Sequence, residues 1–255
     1  MTEASSRRAA VVTGGARGIG AGIAEALLEA GWSVVVSDIS GPDLDAFGAR
    51  HASVADRVEL VLADVASQEH WEKVTAAAAG RFDGIDVLVN NAAISPKHNG
   101  VKLRTADIPV LEWQHVLDVN LTSAFLGTQA VLGPMIERGW GRIVNISSQA
   151  AHTGARVAGV HYGVSKAALL GLTRTVAHEY GQCGVTVNAI TPGRIETPMA
   201  AGVADDVNLA MLATIPVGRM GQPDDVGAVV AFLASDAAGF ITGATIDVNG
   251  GSRMG

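Results

Sequence analysis

Ala9-Ala10-Val11-Val12-Thr13-Gly14-Gly15-Ala16-Arg17-Gly18-Ile19-Gly20 runs from a short apolar stretch through a glycine-rich turn into an Ala/Leu-rich segment. A turn of this kind, leading from a strand into a helix, lets the backbone come close to a pyrophosphate. The first N–H groups of the helix and its dipole then supply the attraction. The spacing is G-x-x-x-G-x-G rather than the common G-x-G-x-x-G. Taken alone it fits a plain turn equally well. Its position between the first strand candidate and the first helix candidate favours phosphate binding, with Gly14, Arg17, Gly18, Ile19 and Gly20 as the candidate nucleotide contacts.

Outward from this turn, β-branched runs alternate with Ala/Leu-rich segments. Strands are expected at Ala9–Thr13, Ser33–Asp38, Val58–Asp64, Asp86–Asn90, Arg142–Ser147, Val185–Thr191 and Thr245–Val248. Helices are expected at Ile19–Ala30, Ser67–Ala79, Val110–Glu137, Tyr162–Gln182 and Pro223–Ala234. Runs such as Val34-Val35-Val36 and Val87-Leu88-Val89 are apolar on both faces, as parallel strands covered by helices on each side must be. Strict alternation implies an α/β fold, a doubly wound parallel sheet of about seven strands with ligands at the carboxyl ends.

Each of those ends carries polar residues. Asp38 closes the second strand, where a carboxylate accepts ribose hydroxyls and repels a 2′-phosphate; a helix cap or turn aspartate is the plain alternative. Arg17 points the other way, since a guanidinium pairs with phosphate, but a carboxylate facing the dianion should win, so NAD is expected over NADP. Asp64-Val65 follows the third strand, placed to meet an adenine amino group or to make a turn. Asn90-Asn91 follows the fourth, holding neighbouring loops and a ribose, or serving as buried structural amides. The loop Ile94–Pro109 carries Lys97, His98, Lys102 and Arg104, either a solvated excursion or a basic rim for an acidic substrate or partner. Pro109 suits a helix start, and Pro134 should kink or end the helix that follows. Ser147-Ser148 ends the fifth strand, and Thr191-Pro192-Gly193-Arg194-Ile195-Glu196-Thr197 ends the sixth. Arg194 reads equally as a surface charge or a pocket residue for an anion.

Tyr162 and Lys166 lie four residues apart in a helical stretch, so their side chains share a face. An ammonium beside a phenol favours the phenolate, which makes a tyrosine usable as an acid or base near neutral pH. The other tyrosine, Tyr180, has Gly184 at that offset. A serine hydroxyl donating to a carbonyl oxygen beside such a tyrosine is a coherent arrangement.

The chain of 255 residues is long enough for one large core, and a single domain over 1–255 is expected. Apolar residues make up 48% and charged residues 17%, which excludes a largely disordered chain. A formal charge of −7 argues against a nucleic-acid binder. The apolar run Ala9–Val12 is too short for a signal-peptide core or a membrane span. The single cysteine, Cys183, suits a reducing compartment, so a cytoplasmic location is expected. The seven histidines show no H-E-x-x-H pattern, and no metal is expected.

Together, Thr13-Gly14-x-x-x-Gly18-x-Gly20, Asn90-Asn91-Ala92, Asn120, Ser148, Tyr162-x-x-x-Lys166 and Pro192-Gly193-x-x-x-Thr197 resemble the classical branch of the short-chain dehydrogenase/reductase family, from Ala9 to about Gly251. The resemblance implies a Rossmann-type fold and hydride transfer between a nicotinamide cofactor and a secondary alcohol or ketone. It implies that Tyr162 is the acid/base and that Lys166 depresses its pKa while binding the nicotinamide ribose. It further implies that Ser148 polarises the carbonyl, that Asn120 helps hold a water in the proton relay, and that Ile195 and Thr197 contact the carboxamide. A homotetramer packed through the two long helices is also implied. Two departures stand out: Ala93 replaces the glycine usual after Asn-Asn-Ala, and the loop that follows is longer than is common. The main reading is an NAD(H)-dependent alcohol/ketone oxidoreductase. The rivals are a 3-oxoacyl-thioester reductase using NADPH, and a non-catalytic protein that binds or senses NAD. The substrate is expected to be decided in Ile94–Arg104, Gln149–Val160 and Arg194–Ile215.

Overall fold

Strand β1 (Ala9–Thr13) lies fully buried between β2 (Ser33–Asp38) and β4 (Val87–Asn90), with Val11 level with Val35 on one side and Leu88 on the other. The computed structural model describes residues 8–155, 157–201 and 205–254. Among them a seven-stranded, all-parallel sheet runs β3-β2-β1-β4-β5-β6-β7, with β3 Val58–Leu62, β5 Gly141–Ile146, β6 Val185–Pro192 and β7 Thr245–Val248. Chain order reverses between β1 and β4. That is the switch point at which doubly wound sheets bind their ligands.

Successive strand residues face opposite sides of the sheet, and the two cores follow this period. Ala10, Val12, Val34 and Val36 pack with Ile23 and Leu27 of α1 (Gly18–Glu29), Phe47 of α2 (Gly41–Arg50), and Val230 and Leu233. Val11, Val35 and Leu88 pack on the opposite face with Trp71 of α3 (Gln68–Phe82), Met135 and Val176. Each large apolar side chain so buried is worth roughly 1.5–3 kcal/mol, and both faces of the central strands contribute. That double burial explains why the strand sequences do not alternate.

The expected strands and long helices are present within a few residues of their expected bounds. Helix α2 was not expected. Its sequence, Gly41-Pro42-Asp43-Leu44-Asp45-Ala46-Phe47-Gly48, reads as a turn, yet Ser40 caps it and only Leu44 and Phe47 are buried. The long helix expected over Val110–Glu137 is interrupted. α4 (Val110–Leu117) passes through a π-helical turn at Asp118–Thr122 into α5 (Ser123–Arg138). Pro134 does not end this helix. It sits inside α5, with buried Val131 and Met135 anchoring the turn on either side of the lost backbone bond. The remaining helices are α6 (Ala150–Thr153), α7 (Val160–Tyr180), α8 (Pro198–Ala201), α9 (Asp205–Leu212) and α10 (Pro223–Ala234). Arg156 and residues 202–204, which fall in the loops expected to decide the substrate, lie outside the described residues, as do 1–7 of the basic N-terminus.

Candidate active site

The glycine turn stands at the switch point and is built for a close approach. Gly18 has φ +55°, a conformation that costs glycine little. A Cβ on Gly20 would lie 2.0 Å from Gly14 O and 2.6 Å from Asn91 Nδ2, so no side chain fits. Asn91 pins the turn, donating through Nδ2 to Thr13 O (2.9 Å) and Gly14 O (3.0 Å). Thr13 Oγ1 accepts from Asn91 N and Ala92 N in return. Of the two readings for these asparagines, holding a neighbouring loop is realised by Asn91, while Asn90 bonds Asn145 Oδ1 across to β5 at 2.8 Å. Ala93 has no positive φ, so the methyl in place of the usual glycine is accommodated in ordinary backbone.

Asp38 is buried, and its carboxylate reaches the turn. One oxygen accepts from Ala16 N (3.2 Å), the other from Ser40 N (3.1 Å). Arg17 is drawn away, pairing with Asp43 at 3.4 Å on the surface. Asp64 makes a turn, accepting from Ala66 N at 3.0 Å, and Val65 beside it is buried. From the opposite side the loop after β6 closes on the turn. Thr197 lies so near Gly18 that a Cβ there would sit 3.4 Å from its methyl, and Ile195 is buried against Gly221. A glycine cradle with a carboxylate at its second strand and a threonine loop opposite fits a dinucleotide.

The second group converges at the ends of β4 and β5. Ser147 and Ser148 separate cleanly. Ser147 Oγ donates to Lys166 O (2.6 Å), a structural bond, while Ser148 hydrogen-bonds the Tyr162 phenol. Lys166 is 2% exposed, with Nζ donating to Ile146 O (2.8 Å) and lying 5.8 Å from the centre of the Tyr162 ring. Burial lowers the Lys166 pKa to about 7. Burial likewise raises the Tyr162 phenol above its ordinary value, with the Ser148 bond pulling the other way. An effect of the neighbouring Lys166 ammonium does not figure among these influences; desolvation, invisible in the sequence, is the largest of them.

Asn120 lies in the π-helical turn, a distortion frequent at functional sites. Its side chain is consumed by protein. Oδ1 accepts from Ile94 N (2.8 Å), and Nδ2 donates to Ile94 O (3.0 Å) and Ser165 Oγ (3.1 Å). It thereby ties the loop after β4 to the helix carrying Tyr162.

Two residues of this site escaped the sequence reading. Gly159 at the head of α7 offers no capping side chain, and His161 Nδ1 accepts Tyr162 N–H instead, at 2.8 Å. With Nδ1 accepting, Nε2 carries the proton and donates to Glu112 Oε1 at 3.0 Å; Glu112 Oε2 takes His98 at 2.7 Å. These bonds hold the Glu112 carboxyl below its ordinary pKa. Glu112 and His161 are far apart in sequence, and no local pattern links them. The long loop is also ordered. His98 and Val101 pair across Asn99-Gly100, both at positive φ, the two-residue hairpin turn that Asn-Gly favours.

Comparison with known proteins agrees with this geometry. The family profile described as enoyl-(acyl carrier protein) reductase matches residues 14–253. The 3-oxoacyl-(acyl-carrier-protein) reductase of Aquifex aeolicus is 42% identical, with 96% of each chain covered. The cis-4-hydroxycyclohexanecarboxylate dehydrogenase of Sinomonas cyclohexanicum is 39% identical, with 98% of each covered. A crystal structure of a 3-oxoacyl-(acyl-carrier protein) reductase with bound NAD from Brucella melitensis superimposes with a TM-score of 0.90 at 36% identity, covering 98% of this chain and 93% of that one.

Proposed function

The chain belongs to the classical short-chain dehydrogenase/reductase family of oxidoreductases, and on that premise we propose that it interconverts a secondary alcohol and a ketone with NAD(H), Tyr162 acting as acid and base. The observation that carries this reading is the convergence of Ser148 and buried Lys166 on Tyr162, beside a glycine turn that Asp38 borders. Bound nicotinamide supplies or accepts the hydride.

The chain's own residues do the rest. Ser148 Oγ–H donates to the substrate oxygen, and Tyr162 Oη delivers the proton in the reducing direction and removes it in the oxidising direction. Lys166 would hold the nicotinamide ribose, Ile195 and Thr197 the carboxamide, and Asp64 and Val65 the adenine edge. Asn120 holds Ile94 and Ser165 in place and would help hold a water in the proton relay. Asp38 favours NAD because its carboxylate accepts ribose hydroxyls and repels a 2′-phosphate. The chain would assemble as a homotetramer, a reading supported by exposed Phe125, Ile136 and Val164 on α5 and α7. No helix among the described residues is long and apolar enough to cross a membrane, and we place the protein in the cytoplasm.

A second reading, reduction of a 3-oxoacyl thioester, is favoured by the Aquifex and Brucella proteins' names. Asp38 argues only against NADPH as its donor, and the Brucella structure carries NAD. Steady-state oxidation of NADH and NADPH with a short 3-oxoacyl thioester and with simple ketones tests both. The main reading expects ketone reduction with kcat/KM favouring NADH by at least ~10-fold, or ~1.4 kcal/mol. Thioester reduction preferring NADPH would replace it.

A further inference from the structure

Both backbone groups of Tyr162 are tied through side chains to one loop. Its N–H donates to His161 Nδ1 at 2.8 Å, His161 Nε2 donates to Glu112 Oε1 at 3.0 Å, and Glu112 Oε2 takes His98 at 2.7 Å. Its carbonyl accepts from Ser165 Oγ at 2.8 Å, Ser165 Oγ accepts from Asn120 Nδ2 at 3.1 Å, and Asn120 holds both backbone groups of Ile94. Ile94 and His98 are four residues apart in the loop expected to decide the substrate. Lys102 braces the same loop from a third direction. Its Nζ donates to Ala155 O at 2.5 Å, and a Cβ on Gly163, next to Tyr162, would stand 3.1 Å from the Ala155 methyl.

The chain through the N–H depends on Glu112. Gly159 carries no capping side chain, and a Cβ there would lie 2.5 Å from His161 Cε1, so the imidazole occupies the space a cap would take. The ring can accept Tyr162 N–H only with Nδ1 bare, which puts the proton on Nε2. Glu112 selects that tautomer. Bonds from His161 and His98 hold its carboxyl below the ordinary pKa, so it is ionised at neutral pH and can only accept. Its place in the first turn of α4 favours the same charge. His161 is fully buried, so solvent cannot take over the role of the carboxylate, whereas His98 sits on the surface in the Asn99-Gly100 hairpin.

We propose that Glu112 is a positioning residue for Tyr162 and couples the substrate loop to it: Oε1 fixes the His161 tautomer that holds Tyr162 N–H, and Oε2 holds the hairpin through His98. The inference deepens the proposed function and rests on it, because it takes Tyr162 as the acid/base. Glu112 reaches Tyr162 only through His161. Its bonds are charge-assisted, and such bonds are short and directional enough to set a ring orientation.

With NADH and a saturating ketone, Glu112→Ala should lower kcat by about 10–100-fold, the range for a reacting group displaced by up to ~1 Å. Calorimetric NADH affinity should stay within ~3-fold of the parent. Glu112→Gln keeps an acceptor for His161 Nε2–H and should return kcat to within ~3-fold of the parent. His98→Ala leaves His161 bonded and should raise KM by at least ~3-fold, with a smaller change in kcat. Adding Glu112→Ala to His161→Leu should change kcat by less than ~2-fold, since Glu112 then has nothing to act through. A parental kcat in Glu112→Ala, a glutamine variant as slow as the alanine one, or losses that multiply in the double variant overturns the positioning role. A parental KM in His98→Ala overturns the coupling to the loop. A second arm needs no turnover. Ring-nitrogen NMR of the full chain labelled at histidine, with the His161 signals identified by their loss in His161→Asn, should show Nδ1 bare and Nε2 protonated. Hydrogen exchange at the Tyr162 amide should be at least ~10-fold faster in Glu112→Ala than in the parent. A His161 protonated on Nδ1, or an unchanged exchange rate, also overturns the proposal. Failure of every ketone and thioester to oxidise NADH would sink the proposed function, while the spectrum and the exchange rate still decide whether Glu112 holds Tyr162.

Discussion

Replacing His161 by leucine isolates the contact on which the geometry of Tyr162 rests. The histidine is 1% exposed and makes two bonds, accepting Tyr162 N–H at 2.8 Å and donating to Glu112 Oε1 at 3.0 Å. Leucine keeps much of the volume and removes both. The first bond does the work of a helix cap, because Gly159 has no side chain, and losing a cap costs about 1 kcal/mol. The second is a hydrogen bond to a carboxylate, worth about 1.5–3 kcal/mol. Glu112 retains His98 and some solvent access, which trims the second figure. The expected loss is about 2–4 kcal/mol of unfolding free energy, read as a shift of the urea midpoint at unchanged slope. Turnover should fall with it, since the first turn of α7 carries Tyr162. His161→Asn places an amide oxygen near the position of Nδ1 and should recover part of both. A His161→Leu protein within ~0.5 kcal/mol of the parent, the scatter of ordinary surface changes, with unchanged kcat would refute the capping argument.

Other substitutions probe the cofactor cradle and the acid limb of stability. Gly20→Ala drives a methyl to 2.0 Å from Gly14 O, so NADH binding followed by fluorescence should weaken by more than ~10-fold; near-normal affinity would show the turn is not the binding cradle. Asp38→Ala removes the carboxylate that opposes a 2′-phosphate, and the NADH:NADPH ratio of kcat/KM should fall by at least ~10-fold. Asp225 pairs with Arg219 at 2.6 Å and its pKa is lowered from 3.8 to about 2, chiefly by that bond. Because the folded pKa is the lower one, its contribution is complete above about pH 4 and disappears as pH falls through about 2. The pair is exposed, so the contribution is small; the melting-temperature gap between parent and Asp225→Asn should narrow over that interval, and a constant gap would contradict it.

How much could be read in advance differs from one element to the next, for physical reasons. β1, β2 and β7 were bounded correctly because apolar, β-branched runs meet glycine, acidic or tryptophan punctuation within a residue. α2 was missed because it needs only two buried side chains, Leu44 and Phe47, and glycine and proline mask the period. The π-helical turn at Asn120 leaves no trace in periodicity, since one extra residue shifts a pattern that helix ends already blur. The hairpin at Asn99-Gly100 was read only as part of a loop, because its flanks do not alternate. Within the site, Asp38, Tyr162 and Lys166 stood out by strand-end position and helical spacing, whereas Ser148 and Thr197 were singled out by the family resemblance. Their electrostatics were not legible, because the pKa values of Tyr162 and Lys166 follow from burial. The Glu112–His161 bond is a tertiary contact between α4 and α7, and only the folded chain brings it together.

The central claim is that Tyr162 transfers the proton. The most direct measurement pairs NADH-dependent ketone reduction by Tyr162→Phe with calorimetric binding of NADH to the same protein. The account predicts turnover lower by at least ~100-fold, as expected for a lost general acid, with NADH affinity within ~3-fold of the parent. Turnover near that of the parent would contradict it, and the acid/base would then have to be sought elsewhere.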